Sequence, residues 1–325
     1  MRILIPQHYY EDSFVDNVQM TLKEMGHEVC TLGFVDWKEI WSSSKKAIGL
    51  VTRALSIDEN KRAGQRLLKI AKEFRPDILL STTGTVNEDT LDELGTFVRG
   101  RRILWWGDPP ANARRWDLLS PGWDVVYMKD RAAVHKLKLA GQNAHLLHEA
   151  MNPNWHKPLA GKRNKAFAIA GNCYAFRQAL VRRLMKDGVQ FQLFGPPVPS
   201  WSYPEIKKAH SGQYLVKEEK SLVFGEAAGC LNTFSFAEGD SLNCRAFEIA
   251  GAGGLQLIEH RPAIEDCFVP GKELLTFATY DELVELSRRA VKYPDELDVV
   301  RRAGASRALA EHTYRHRLDV ILKNF

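Results

Sequence analysis

The chain has 325 residues, of which 45% are hydrophobic, 26% charged and 10% aromatic. These fractions exclude a disordered chain, a collagen and a coiled coil, and the length predicts about two domains. The net charge of +5 comes from 45 basic and 40 acidic residues dispersed along the sequence, which predicts solvated helix faces with a weak attraction for anionic partners.

We expect a cytoplasmic protein without a signal peptide or a transmembrane helix. Residues 1–6 are a short apolar run ended by proline, whereas a signal peptide needs a longer apolar region and a cleavage site. The longest uncharged apolar stretches are strand-length, far below the roughly 20 residues that span a bilayer. The cysteines are odd in number and show no metal-ligand spacing; they are Cys30, Cys173, Cys230, Cys244 and Cys267.

The first half of the sequence alternates strand and helix patterns. A strand over 2–6, a helix over 13–26 and a strand over 27–32 make a βαβ unit, which predicts a parallel α/β sheet. We interpret residues 33–56, with Trp37 and Trp41, as a surface insertion. The further predicted elements are a helix over 58–74, a strand over 77–81, a helix over 87–98, a strand over 102–106, a short helix over 111–118, a strand over 124–128, a helix over 131–140 and a strand over 144–147.

A linker at 149–158, with two prolines and no periodicity, precedes a second alternation. Its elements are strands over 165–170, 189–194, 230–233 and 255–259, and helices over 175–187, 218–228, 242–252, 281–293, 295–310 and 313–323. The sequence therefore predicts two doubly wound, Rossmann-like domains that face each other across a cleft. Ligands of such domains bind at the carboxyl ends of the strands.

Several enzyme classes are excluded by the loops that follow the strands. The first strand is followed by Pro-Gln-His-Tyr-Tyr (6–10) and not by the Gly-x-Gly-x-x-Gly turn of dinucleotide-binding proteins. The sequence also contains neither a P-loop nor a Gly-x-Ser-x-Gly elbow. An NAD or FAD enzyme, a P-loop ATPase and an α/β-hydrolase are therefore not expected.

The segment 238–254 is the most informative part of the second half. A loop with acidic residues and glycine leads into a helix predicted to start near Leu242, and the N-terminus of a helix suits a phosphate. Asn243 and Arg245 in its first turn can add donors, and Glu248 lies where a carboxylate could accept from ribose hydroxyls. Ordinary surface roles explain Arg245 and Glu248 equally well.

Motifs along the chain resemble the glycosyltransferases related to spore maturation protein CgeB. The most specific is Asn-Cys-Arg-Ala-Phe-Glu-Ile-Ala-Gly-Ala-Gly-Gly (243–254), and the resemblance covers roughly residues 75–320. The other similar segments are 123–126, 137–141, 151–154, 168–177, 268–273, 280–283 and 312–317. The resemblance implies a GT-B fold with an acceptor-side domain (1–150), a nucleotide-sugar-binding domain (151–312) and a terminal helix (313–325) that packs back on the first domain.

The resemblance also implies the donor site. Glu248 corresponds to the second acid of the paired-acid motif and holds the ribose, and Arg177 corresponds to a basic residue on the diphosphate. Tyr214 is either a ring that stacks on the base or a core residue, and Arg177 is either a ligand or a helix-surface arginine. The implied donor-binding residues are Gly171, Arg177, Gly195, Tyr214, Leu215, Val216, Ser241, Leu242, Asn243, Arg245 and Glu248.

The implied catalytic residues are Asp108, His8 and Asp240. Asp240 stands at the first position of the paired-acid motif, where it is one methylene shorter than the family's glutamate. Structural roles explain Asp108 and His8 as well as catalytic ones do. The tryptophans at 37–41, the loop 7–10 and the pair Trp105 and Trp106 are expected to shape the acceptor side. The chain contains no Asp-x-Asp motif, so we expect no metal site and no cofactor besides the sugar donor.

The leading hypothesis is a retaining, metal-independent glycosyltransferase that moves a sugar from a nucleotide-diphosphate sugar to a glycan, protein or small-molecule acceptor. A first alternative is transfer to modified DNA bases, although no concentrated basic stripe favours nucleic acid. A second is a two-domain protein that binds a sugar or nucleotide without turnover. Peripheral membrane contact stays open, and the sequence does not predict an oligomeric state.

Overall fold

A computed structural model describes residues 1–36, 38, 59–82, 86–113 and 117–323. The chain divides into two units, residues 1–148 with 317–325, and residues 149–316. The sequence placed the terminal segment from residue 313, but residues 313–316 group with the second unit. The reason is local pairing, since the N–H of Met151 donates to the His312 carbonyl at 3.0 Å and the N–H of Tyr314 donates to the Met151 carbonyl at 3.1 Å.

The first unit is built on one parallel sheet. Its strands are β1 (Arg2–Leu4), β2 (Glu28–Cys30), β3 (Ile78–Ser81), β4 (Arg102–Trp106), β5 (Val125–Met128) and β6 (Ala144–Leu146). They are arranged in the order β2-β1-β3-β4-β5-β6, and every pairing is parallel. The connecting helices are α1 (Phe14–Glu24), α2 (Glu59–Phe74), α3 (Glu88–Leu94) and α4 (Arg131–Leu139).

The tryptophan pair of β4 lies in the core of the first unit. Trp105 is fully buried, and its ring packs edge to face on Phe14 with centroids 4.8 Å apart. Trp106 packs on the other side of the sheet with Leu4 and Leu104. The expectation that this pair shapes the acceptor side is therefore wrong, because an interior strand of a parallel sheet is covered on both faces.

The second unit repeats the architecture with five strands. They are β7 (Phe167–Ala170), β8 (Phe191–Phe194), β9 (Gly229–Asn232), β10 (Gln256–Glu259) and β11 (Leu275–Phe277). The sheet is parallel, in the order β11-β10-β9-β7-β8. The helices of this unit in chain order are α5 (Ala175–Lys186), α6 (Pro204–Ala209), α7 (Lys217–Glu226), α8 (Cys244–Gly251), α9 (Tyr280–Lys292) and α10 (Asp298–Glu311). Helix α11 (Tyr314–Leu322) begins in the second unit, and its residues from 317 onward belong to the first. The predicted α/β class of two doubly wound sheets is confirmed.

Several helices begin where the sequence supplies a cap. The side chains of Ser13, Asn87 and Asp130 accept N–H groups from the first turns of α1, α3 and α4. Helix α9 begins at a reciprocal capping box between Thr279 and Glu282. These local signals explain why helix existence could be predicted from the sequence.

Three expectations differ from the structure. The helix expected over 111–118 is a single 3₁₀ turn at Pro110–Asn112, with residues 114–116 outside the described part. Helix α3 ends at Leu94 with Gly95 as its cap, four residues before the predicted end. Helix α6 and strand β11 were not predicted, since both are short.

Trp37, Trp41 and most of the predicted insertion lie outside the described residues, as do residues 83–85 of the loop after β3. Among the residues that the structure describes, no helix combines the length and apolar content needed to cross a bilayer.

Candidate functional site

Hydrogen bonds at the carboxyl edge of the second sheet join three loops, which are the loop after β7, the loop after β8 and the segment at Gln213. Gly171 follows β7, and its N–H donates to the Phe194 carbonyl at 2.8 Å. Gly195 follows β8, and its N–H donates to the Gln213 carbonyl at 2.8 Å. Because parallel α/β sheets bind ligands at this edge, the three loops form the candidate site.

Both glycines occupy positions that a side chain would disturb. The backbone φ is +127° at Gly171 and +140° at Gly195. A Cβ on Gly195 would lie 2.6 Å from the Gly171 carbonyl oxygen, and a Cβ on Gly171 would lie 2.5 Å from Nη2 of Arg245. The absence of side chains therefore allows the Arg245 guanidinium to lie directly against the loop after β7.

Helix α8 begins at Cys244 because Asn243 caps it. The Asn243 side-chain oxygen accepts the Ala246 N–H at 3.1 Å, which satisfies one of the unpaired donors of the first turn. Asn243 also exchanges two hydrogen bonds, of 3.0 and 3.1 Å, with the side chain of Asn232 at the end of β9. Its side chain thus fixes where the helix starts relative to the sheet, two residues later than the sequence predicted.

Two arginines lie in the first turns of helices that begin at this edge. Arg245 is the second residue of α8, and Arg177 is the third residue of α5. Both helices lie within the described residues, and neither has an acidic side chain in its first turn. The two arginines therefore place positive charge at helix N-termini, where the helix dipole normally favours Asp or Glu. Burial, and then the charge of Arg245, lower the pKa of Arg177 to about 10.

Arg177, which the resemblance implies as a ligand of the diphosphate, is bonded to protein groups in the structure. Its side chain is buried, with 1% of the residue exposed. Its Nε donates to Thr233 Oγ1 at 3.0 Å and its Nη2 to the Thr233 carbonyl at 2.6 Å. The remaining bonds go to the Asn172 carbonyl at 2.5 Å and the Tyr174 hydroxyl at 2.9 Å. In this arrangement Arg177 joins the loop after β7 to the loop after β9, and each of its guanidinium nitrogens already donates to a protein acceptor.

Glu248 lies on α8 with its carboxylate turned toward α7. One carboxylate oxygen accepts from Lys220 Nζ at 3.0 Å, and Nε2 of His156 lies 3.9 Å from the same oxygen. The Glu248 and Lys220 side chains are only 7% and 12% exposed. A carboxylate at this depth requires such a partner, because an unpaired buried charge is strongly destabilising. A ligand hydroxyl would share the carboxylate with Lys220.

The loop before α8 is held by hydrogen bonds of its own. The Asp240 carboxylate accepts the Ala263 N–H at 2.9 Å, and Arg261 donates to the Ser241 carbonyl at 3.0 Å. The side chains of Ser241 and Leu242 are fully buried, and Leu242 packs in a hydrophobic cluster. The side chains of Ser241 and Leu242 are therefore enclosed, their expected ligand contacts stay a prediction, and Asp240 already has a backbone partner.

The segment 214–216 connects α6 to α7 beside Gly195. Tyr214 is half-buried, and Leu215 packs in a cluster with Phe194 and Phe224. Val216 precedes the first residue of α7. Of these three side chains, Leu215 is a core residue, and the base-stacking role of Tyr214 stays a prediction.

The catalytic residues expected in the first unit lie in loops after different strands. His8 follows β1 and Asp108 follows β4, and both are exposed. Strand β3 separates β1 from β4 in the sheet, so the two loops do not follow neighbouring strands. Between them, the Gln7 amide donates to Ser81 Oγ at 2.8 Å and accepts the Thr82 N–H at 3.2 Å, which joins the loops after β1 and β3.

Sequence reasoning missed Lys220, Thr233 and Arg261. Lysine and arginine are surface residues by default, so nothing in the pattern of α7 separates Lys220 from its exposed neighbours Glu218 and Glu219. Thr233, directly after β9, could have been found, because a polar residue that ends a buried strand at the carboxyl edge is a candidate in such sheets.

Comparisons with known proteins agree with this architecture. Residues 174–323, slightly less than half of the chain, match a family model described as glycosyl transferase-like. No curated protein sequence matches the chain.

Solved structures are similar over the whole chain. Sucrose-phosphate synthase from Thermosynechococcus elongatus has a TM-score of 0.66 at 11% identity, covering 99% of this chain and 98% of that chain. HepE from Anabaena, in complex with UDP and glucose, has a TM-score of 0.67 at 10% identity, covering 100% of both chains. UDP-forming trehalose-phosphate synthase from Burkholderia xenovorans, in complex with glucose-6-phosphate, has a TM-score of 0.58 at 12% identity, covering 82% of this chain and 76% of that chain. At these identities the likeness concerns the fold, and the chain has the GT-B fold of those structures.

Proposed function

We propose that this protein is a glycosyltransferase that takes a nucleoside-diphosphate sugar as donor and binds it at the carboxyl edge of the second unit. The observation that carries the proposal is the pair of first-turn arginines, Arg177 and Arg245, beside the glycine loops at Gly171 and Gly195. The two guanidinium groups and the glycine backbone supply positive charge and close approach, which is what a diphosphate requires.

Arg245 is the residue that we assign to the diphosphate. Its guanidinium lies against Gly171, where a phosphate seated at the start of α8 would meet both the side chain and the first N–H groups of the helix. A positive charge at that place stabilises the nucleoside diphosphate as the bond to the sugar breaks. Arg177 acts through its neighbours, because it fixes the loops on either side and adds to the local potential.

Glu248 is assigned to the ribose of the donor, with Lys220 as the residue that orients its carboxylate. A solved structure of similar fold, HepE, binds UDP and glucose, which supports a nucleotide sugar as the ligand class. Transfer to acceptor, retention of configuration, independence from metal ions and a cytoplasmic location belong to the same proposal, as does membership of the CgeB-like group. Asp108, His8 and Asp240 remain the candidates for contact with the reacting groups.

A thermal-shift panel tests the ligand class. UDP, GDP, ADP and dTDP and their common sugar derivatives would be added to the full chain. A ligand at 100 times its Kd adds about 2.7 kcal/mol to the stability of the folded state, so one nucleotide series should raise the melting temperature clearly. Release of free nucleotide from the hit would then be followed with added acceptors.

The thermal-shift panel and the nucleotide-release assay have three possible outcomes. A nucleotide-specific shift followed by release of nucleotide supports it. A shift without turnover for any donor favours the alternative of a non-catalytic binding protein. A chain that none of these nucleotides stabilises would contradict the donor assignment.

A further inference from the structure

A cavity lies at the edge of the second sheet opposite the candidate donor site. It occupies about 550 Å³ between the last turns of α5, the start of β8 and α6. Its apolar lining is formed by Met185, Val189, Phe191 and Ala209. Phe191 begins β8, whereas Gly195 of the donor site follows the end of the same strand, so one ligand cannot occupy both places.

The rim of this cavity is basic. Arg182, Lys186 and Lys208 line it together with a single acid, Glu205. Arg182 Nε donates to Glu205 at 3.1 Å, and both side chains are more than one-third exposed, so this pair is a weak surface bridge. The rim therefore keeps a net positive charge, carried by the exposed Lys186 and Lys208.

An aromatic turn stands beside the rim. Trp201 is 61% exposed and Tyr203 is 39% exposed, and the Arg182 guanidinium lies 4.5 Å from the centre of the Tyr203 ring. The turn is anchored, because the Ser202 N–H donates to the Pro199 carbonyl at 3.0 Å and its hydroxyl accepts from Gln178 on α5 at 3.0 Å. The fold thus holds a largely exposed indole two residues before Tyr203, whose ring contacts the rim residue Arg182.

We propose that this surface, formed by Arg182, Lys186, Trp201, Tyr203 and Lys208 and called here the α6 patch, binds an anionic lipid bilayer. Basic side chains around an apolar cavity, flanked by tryptophan and tyrosine, match the layers of a membrane surface. The phosphate groups meet the cations, the aromatic rings lie at the headgroup level, and the cavity faces the acyl boundary.

Vesicle co-sedimentation of the full chain tests this proposal. The chain would be mixed with vesicles of phosphatidylcholine alone, or with about 30% phosphatidylglycerol added to supply negative surface potential. We expect binding to the anionic vesicles, little binding to the neutral ones, and a loss of binding between about 0.1 and 1 M salt as the Debye length shortens.

The decisive variant is the double substitution Lys186→Gln and Lys208→Gln. Each lysine near an anionic surface contributes about 1 kcal/mol, so the partition coefficient should fall about 30-fold. Trp201→Ala should lower it about tenfold on the same vesicles. The matched control is Lys136→Gln with Lys138→Gln on α4, two exposed lysines whose removal changes the net charge equally. It should bind as the parent does.

Several results would overturn the proposal. They are the absence of binding to anionic vesicles, equal binding to neutral vesicles, and the same loss in the control as in the Lys186 and Lys208 variant. Saturable binding of a soluble alkyl phosphate without vesicle binding would assign the cavity to a free metabolite instead. Nucleotide binding measured on the same variants should equal that of the parent, which keeps this test separate from that of the donor site.

Discussion

Replacing Gly195 by alanine tests the glycine cradle at the donor site. The new Cβ would lie 2.6 Å from the Gly171 carbonyl oxygen and 3.0 Å from its carbonyl carbon, so the overlap is with backbone that cannot rotate away. Adopting a φ of +140° costs alanine on the order of 1–3 kcal/mol, and the overlap adds about 1–3 kcal/mol more. We therefore expect the free energy of unfolding to fall by about 2–6 kcal/mol.

Gly271→Ala is the matched control in the same unit. Gly271 also has a positive φ, +78°, but a Cβ there would meet no atom within 4 Å. This variant carries the backbone strain without the overlap, and should cost only about 1–2 kcal/mol. Urea melts followed by circular dichroism would give both values.

The two glycine variants should also differ in nucleotide affinity. Relief of the overlap moves the Gly171 peptide, against which the Arg245 guanidinium lies. Nucleotide affinity should therefore fall in Gly195→Ala and stay unchanged in Gly271→Ala. A stability loss in Gly195→Ala no larger than that of the control, with parental nucleotide affinity, would refute the close approach of the two loops.

Three further predictions concern Arg177, the pair Lys220 and Glu248, and the dependence of turnover on metal ions. Arg177→Met should lower the free energy of unfolding by about 2–5 kcal/mol in urea melts, since it leaves buried carbonyl partners without donors. Unchanged stability with a selective loss of nucleotide binding would instead favour a direct ligand role for Arg177. Lys220→Met should lower the free energy of unfolding by about 3 kcal/mol because it removes the cationic partner of the buried Glu248 carboxylate. Adding Glu248→Gln should recover part of that loss, and additive losses in the double variant would argue against coupling between the two side chains. Turnover of the donor should persist in EDTA, and a loss that manganese or magnesium reverses would refute metal independence.

The alternation of elements could be predicted because its signals are local. The βαβ pattern at the start, the capping asparagine at 87 and the run 243–254 all act within a few residues. Short elements such as α6 and β11 carry too few residues for a periodic signal. The start of α8 was displaced by two residues because Asn243 pairs with Asn232, a contact across 11 positions that the local sequence does not reveal.

The sequence predicted where the candidate site lies but not its internal contacts. The resemblance to the CgeB-related glycosyltransferases implied the loops at Gly171 and Gly195 and Arg177, and the segment 238–254 indicated Arg245. The sequence could not distinguish which arginine is buried, since the Arg177 environment depends on Thr233, 56 residues away. Nor could it pair Glu248 with Lys220, 28 residues earlier on another helix. Such contacts depend on tertiary packing, which sequence periodicity does not specify.

Isothermal titration of nucleotide into the parent chain, Arg245→Ala and Arg302→Ala tests the central claim most directly. Arg302 is an exposed arginine on α10 and serves as the charge-matched control. Loss of a charged hydrogen bond to the diphosphate is worth about 1.5–3 kcal/mol, so Arg245→Ala should weaken binding about 10- to 100-fold while Arg302→Ala leaves Kd unchanged. Equal affinity of all three proteins for the nucleoside diphosphate would contradict a donor site at the carboxyl edge of the second unit.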